Sequence, residues 1–173
     1  MFSLIALMAV MTVQAQSICG AWQNMKPEVT EKENGKAVVS TNYTFNEDGT
    51  FVSNADITFS ETKSKHDKDM GFTLKASVIG VYTLKGNKLT LCYNGSSLKM
   101  DDIRLSIDGE VVDNPEFLTM VKDRLGNEAK ARIAEELTDD HYTIKFSANG
   151  SMLELTDTTD GKTDRLMRMT TKN

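Results

Sequence analysis

Histidine is almost missing from this chain of 173 residues, which holds only His66 and His141. Cysteine is equally scarce, at Cys19 and Cys92. Together these absences leave little from which to build a metal centre, because such sites draw on spaced His and Cys ligands. His66 lies in "SKHDKDMG", where Asp67 and Asp69 are its only nearby ligand types, and the segment reads as an exposed polar loop. His141 follows Asp139 and Asp140 at a helix-to-strand junction, where capping and turn formation account for the carboxylates. There is no Gly-x-Ser-x-Gly elbow, no phosphate-cradling glycine loop and no Cys–His spacing that suits a thiol nucleophile. Asp157, Asp160 and Asp164 in "DTTDGKTD" lack the spacing of a calcium-binding EF-hand loop, and Asp160-Gly161 suits a hairpin turn better. The expectation is a protein that is not an enzyme and carries no metal or cofactor.

A basic stripe is also missing. With 20 Lys and Arg against 25 Asp and Glu, the net charge is −5, which argues against a nucleic-acid partner, since phosphate binding needs clustered cations. The acidic balance serves solubility. No linker, low-complexity tract or internal repeat divides the chain, so a single domain with one core is expected.

What is present begins with "MFSLIALMAVMTVQA", an uncharged run that ends in the small-residue pattern Val13-Gln14-Ala15. It is too short to anchor in a bilayer and reads as a signal peptide over residues 1–15, although no basic residue follows Met1. The mature chain, 16–173, is then exported to the periplasm, the outer membrane or the medium, with no transmembrane segment of its own. In that setting two readings of Cys19 and Cys92 stand. A disulfide would stabilise the fold by about 4 kcal/mol through loop closure; the other reading is two separate half-buried thiols.

Along the mature chain the dominant signal is a period of two. Phe72, Leu74, Ala76, Val78, Gly80, Tyr82 and Leu84 share one parity, Gly86-Asn87 makes a tight turn, and Leu89, Leu91 and Tyr93 resume the alternation, which predicts a hairpin. Val39, Tyr43 and Phe45 precede a turn at Asp48-Gly49, with Phe51, Ala55, Ile57 and Phe59 after it. The segment from His141 to Met169 reads as three more strands, with turns at Asn149-Gly150 and Asp160-Gly161. One stretch departs from this: Leu118, Val121, Leu125, Ala129, Ile133 and Leu137 recur at three and four. That spacing predicts an amphipathic helix over 114–137, with Asn114 as N-cap, Pro115 at the first helical position and Gly126 as a candidate interruption. Mainly β architecture follows, with about 8–10 short-connected antiparallel strands. Closure into an up-and-down barrel would bury one face and leave few open edges; a β-sandwich is the competitor.

These residues resemble the lipocalin superfamily. Gly20-Ala21-Trp22 is similar to that family's Gly-x-Trp motif, in which the tryptophan plugs one end of the barrel, and "YTFNEDGTF" and "GVYTLKGNKLTL" look like recurrent hairpins of lipocalin-like domains exported by Gram-negative bacteria. The helix departs from the pattern, since lipocalins place theirs after the last barrel strand and here three strands follow. The resemblance implies a barrel that binds a small hydrophobic ligand inside, with Trp22, Tyr43, Phe45, Phe51, Phe72, Gly80, Tyr82, Leu84, Leu91 and Tyr93 as candidate lining residues. Ala55, Ala76 and Gly80 are the small residues that would leave room. The alternative is a filled barrel serving as a scaffold, with the helix stripe at Leu118, Val121 and Leu125, or the loops, contacting an envelope protein.

Overall fold

The computed structural model describes residues 17–32, 35–61 and 69–170. The expected signal peptide and the loop holding His66 and Asp67 lie outside the described residues. Within them the chain forms β1 (Gly20–Asn24), β2 (Glu28–Lys32), β3 (Gly35–Phe45), β4 (Thr50–Glu61), β5 (Met70–Lys85), β6 (Lys88–Tyr93), β7 (Lys99–Ile107), β8 (Glu110–Val111), α1 (Pro115–Glu136), β9 (Asp140–Phe146), β10 (Met152–Asp157) and β11 (Thr163–Arg168).

Eight of these strands pair in a ring, β1-β3-β4-β5-β6-β9-β10-β11 and back to β1, every pair antiparallel. The ring is the closed barrel expected, and closure removes the edges that a sandwich would have left. Neighbours in the ring follow chain order except at two inserts: β2 lies between β1 and β3, and β7, β8 and α1 lie between β6 and β9. Short hairpins enforce this order. At the β5–β6 turn Gly86 takes φ 63°, a left-handed conformation that glycine adopts without Cβ strain. At the β3–β4 turn Gly49 takes φ 83°, and the Asp48 carboxylate accepts the Thr50 N–H at 2.9 Å.

Three strands outrun the barrel. Only the C-terminal part of β3 pairs with β1, from Asn42 to Phe45, while its N-terminal part pairs with β2. Likewise β5 gives Gly80–Lys85 to β6 and its earlier residues to β7. The overhanging parts of β3, β4 and β5, flanked by β2 on one side and by β7 and β8 on the other, make a tongue of sheet beyond the barrel mouth.

Two cores result. The barrel interior holds Trp22, Phe45, Phe51, Leu89, Leu91, Leu153, Leu155 and Leu166, all fully buried. Burying a large apolar side chain stabilises by about 2 kcal/mol, so this half of the molecule is a packed solid. The second core lies on the tongue, where Leu74, Ala76, Val78 and Leu98 pack with Ile57, Phe72, Met100, Ile103, Ile133, Ala134 and Leu137. Its cover is the C-terminal end of α1. That helix begins as its sequence directs: the Asn114 side chain accepts the Phe117 N–H at 3.0 Å, and Pro115 opens the first turn. It runs without interruption through Gly126. Leu118 is half-buried and Phe117 and Met120 are exposed, while the side chains of Val121 and Leu125 lie outside the described residues.

Cys19 and Cys92 are free thiols, and the register explains why they do not meet. Cys19 Sγ sits 3.4 Å from the Tyr82 hydroxyl. Cys92 lies between Leu91 and Tyr93, both packed on the barrel core, and so faces the outside of the wall. Of the two readings left open, separate thiols is the one observed. Among the described residues no helix is long and apolar enough to cross a membrane.

Candidate functional site: a cavity at the barrel mouth

The two ends of the barrel differ. One end is shut by Trp22, whose indole N–H donates to the Ile18 carbonyl at 2.7 Å. The Arg168 guanidinium stacks over the indole at 4.4 Å from its centroid, a cation–π contact. The same guanidinium donates to the Cys19 carbonyl at 3.0 Å and the Ser17 carbonyl at 2.6 Å, which ties the chain entering β1 across the opening. Arg168 is a structural residue that the sequence reading missed; its signal is its place opposite Trp22 in the β1–β11 register.

The other end holds space. Where β3, β4 and β5 leave the barrel for the tongue, a cavity of about 280 Å³ opens between the sheet and the end of α1. At about 30 Å³ per water this is room for several waters or one small molecule. Its sheet wall is Thr41 and Tyr43 of β3, Ser53, Ala55 and Ile57 of β4, and Ala76 and Val78 of β5. Its roof is Leu98 with Ile133, Leu137 and Thr138. Ala55 and Ala76 are direct cross-strand partners, so two methyl groups stand side by side in the sheet wall of the cavity, where larger side chains would narrow it.

The barrel side of the cavity is polar. Tyr93 O–H donates to Asp140 Oδ2 at 2.8 Å and Tyr142 O–H donates to the same oxygen at 3.2 Å. Tyr43 is hydrogen-bonded to the Tyr93 side chain. Asp140, Tyr142, Ile144 and Phe146 alternate along β9, which turns all four inward, while His141 between them bonds Thr90 at 3.2 Å on the outer face. Burial pushes the Tyr43 phenol up to about 12, opposed by its bond to Tyr93 and helped by the Asp140 charge. Tyr93 and Tyr142 are raised as well, first by burial and then by the charges of their neighbours, Asp140 among them. At the closed end, burial and then the Cys19 hydrogen bond lift Tyr82 to about 12.

These four are all the tyrosines in the chain, and their shared direction has a measurable consequence. An unfolded chain ionises tyrosine near pH 10, whereas the folded chain retains those protons to higher pH. Folded protein then binds more protons than unfolded, and stability falls as pH rises. The contribution is whole below about pH 10 and is lost as pH climbs through the raised values. In a spectrophotometric titration phenolate absorbance is expected to stay flat past about pH 11 and then rise together with loss of near-ultraviolet dichroism. A tyrosine that titrates near pH 10 in intact protein would contradict the burial.

The ten residues proposed from sequence as a lining part company. Tyr43 and Tyr93 border the cavity. Trp22, Phe45, Phe51 and Leu91 are buried in the solid core, with Leu84 packed against it. Tyr82 closes the far end, its hydroxyl donating to the Asn46 carbonyl at 2.7 Å. Phe72 stacks on Phe59 in the tongue with ring centroids 5.0 Å apart. Gly80 leaves no void: a Cβ there would overlap the Phe51 ring and the Cys92 carbonyl oxygen, so its missing side chain is space that Phe51 occupies. Of the small residues expected to make room, Ala55 and Ala76 do so and Gly80 does not.

The remaining sequence candidates are local. Asp160 accepts the Lys162 N–H at 2.9 Å and pairs with its ammonium at 2.8 Å, as a hairpin turn requires. Among the described residues no group of three or more His, Cys, Asp and Glu is placed to hold a metal. A wider groove of about 380 Å³ runs from Asn24 to Glu28 along Lys162 to Arg165, and Lys26, Glu28, Lys162, Asp164 and Arg165 give it a charged lining. No family model matches the sequence, and no curated protein matches it.

Proposed function

We propose that this chain is an exported lipocalin-like binding protein that holds one small, largely apolar molecule at the barrel mouth and carries out no chemistry on it. The observation that supports the reading is the Ala55–Ala76 pair beneath a cavity of about 280 Å³. Mostly apolar walls with a few convergent polar groups are the usual makeup of a small-molecule site. Export rests on the uncharged leader sequence and the lipocalin-like hairpins. The alternative is a partner surface on the helix at Leu118, Val121 and Leu125, or on the loops; Leu118 is half-buried and the other two side chains lie outside the described residues.

Octanol tests the reading by calorimetric titration. Ala55→Trp places an indole in the cavity and is expected to weaken octanol binding by at least about tenfold, or 1.4 kcal/mol, with the fold retained. Equal octanol affinity in the variant and the parent would move the site elsewhere.

A further inference from the structure

We propose that the molecule held at the mouth carries a protonated amine, which Asp140 receives. The inference rests on the cavity being the ligand site. It arises from the distribution of charge around that cavity. Among the described residues Asp140 is the sole charged side chain lining it, and no described Lys or Arg side chain borders it. Both hydroxyl donors reach Oδ2. Oδ1 receives no hydrogen bond among the described residues, and no ion pair joins Asp140 to a Lys or Arg there. This carboxylate at the cavity edge has no cation partner among the described residues, and a ligand ammonium would supply both the charge and the donors.

The walls suit the same group. Tyr43 and Tyr93 stand beside Asp140 at the cavity edge, and aromatic faces attract cations. Beyond them Ala55, Ala76, Val78, Leu98 and Ile133 offer apolar surface, with Thr41, Ser53, Ser77 and Thr138 among them in the lining. The complement is a compact amphipath with an ammonium at one end and a hydrocarbon body. A carboxylate-headed molecule, such as a fatty acid, would set like charge against Asp140 and is disfavoured.

The test compares octylamine, octanol and octanoate, which share one hydrocarbon body, by calorimetric titration at neutral pH. Octylamine is expected to bind about tenfold tighter than octanol, and octanoate at least about tenfold weaker than octanol. Asp140→Asn is expected to bring octylamine to the octanol level. The octylamine-to-octanol affinity ratio in the unaltered protein is the readout that stands if Asp140→Asn does not fold. Equal binding of octylamine and octanol, or tighter octanoate, overturns the amine inference and leaves the cavity reading standing. Binding of none of the three overturns both.

Discussion

Trp22→Ala is expected to lower the free energy of unfolding by about 4 kcal/mol. The ring is fully buried in the barrel core, where it packs against Phe146 at 6.1 Å between centroids. Truncation removes its transfer free energy and leaves a void that the closed wall of strands cannot collapse to fill. It also strips the Ile18 carbonyl of its indole donor and the Arg168 guanidinium of the face it stacks on. Chemical denaturation is the measurement: the midpoint should fall with the slope unchanged. A loss below about 1 kcal/mol would mean that the end cap is not part of the cooperative core. Octanol binding should persist in folded Trp22→Ala, because the indole lies at the opposite end from the cavity.

Gly80→Ala is expected to cost about 3 kcal/mol, a large penalty for one methyl group. Gly80 and Phe51 are cross-strand partners on β5 and β4, and the Phe51 ring lies across the glycine where a Cβ would stand. A methyl there forces the ring off a good rotamer or moves the β5–β6 backbone at Cys92, and both are costly in a tightly packed interior. The mechanism predicts its own suppressor. Phe51→Leu is destabilising alone, but combined with Gly80→Ala it should cost about 1 kcal/mol or more less than the sum of the two. Strict additivity would show that the ring does not own the space.

The contrast between Gly80 and Ala55 shows where sequence reasoning succeeds and fails. Alternation assigns both to the inner face, and the register agrees. Whether a small inward residue opens a cavity depends on what stands opposite. Gly80 faces Phe51 while Ala55 faces Ala76, and that pairing appears only once the strands are aligned. The barrel itself was legible, because its hairpins carry glycine turns and clean alternation. Helix α1 was legible from Asn114-Pro115 and the spacing to Leu137. The tongue was not. β2 reads "EVTEK", short and charged, as edge strands tend to be. β7 reads "KMDDIRLSI", with a register shift opposite Thr73 and Lys75 and a positive φ at Asp102, so its alternation is broken where a sequence reader needs it.

Asp140 was hidden for another reason. Placed at a helix-to-strand junction beside Asp139, it has the local signature of a turn residue. Its inward parity with Tyr142, Ile144 and Phe146 was present in the sequence, but an inward carboxylate makes sense only with Tyr93 brought over from β6 to bond it. Long-range pairing of that kind leaves no trace in local pattern. Arg168 was hidden in the same way, since nearly the whole chain separates it from Ser17, whose carbonyl it holds.

The most direct test of the cavity is crystallographic: crystals grown with a bromine-tagged octanol, read by the anomalous signal of the bromine. The account predicts a single peak at the barrel mouth, between the Ala55–Ala76 pair and Ile133, lost in Ala55→Trp. A peak in the core between Trp22 and Leu91, in the charged groove at Lys162, or nowhere on the protein would contradict it.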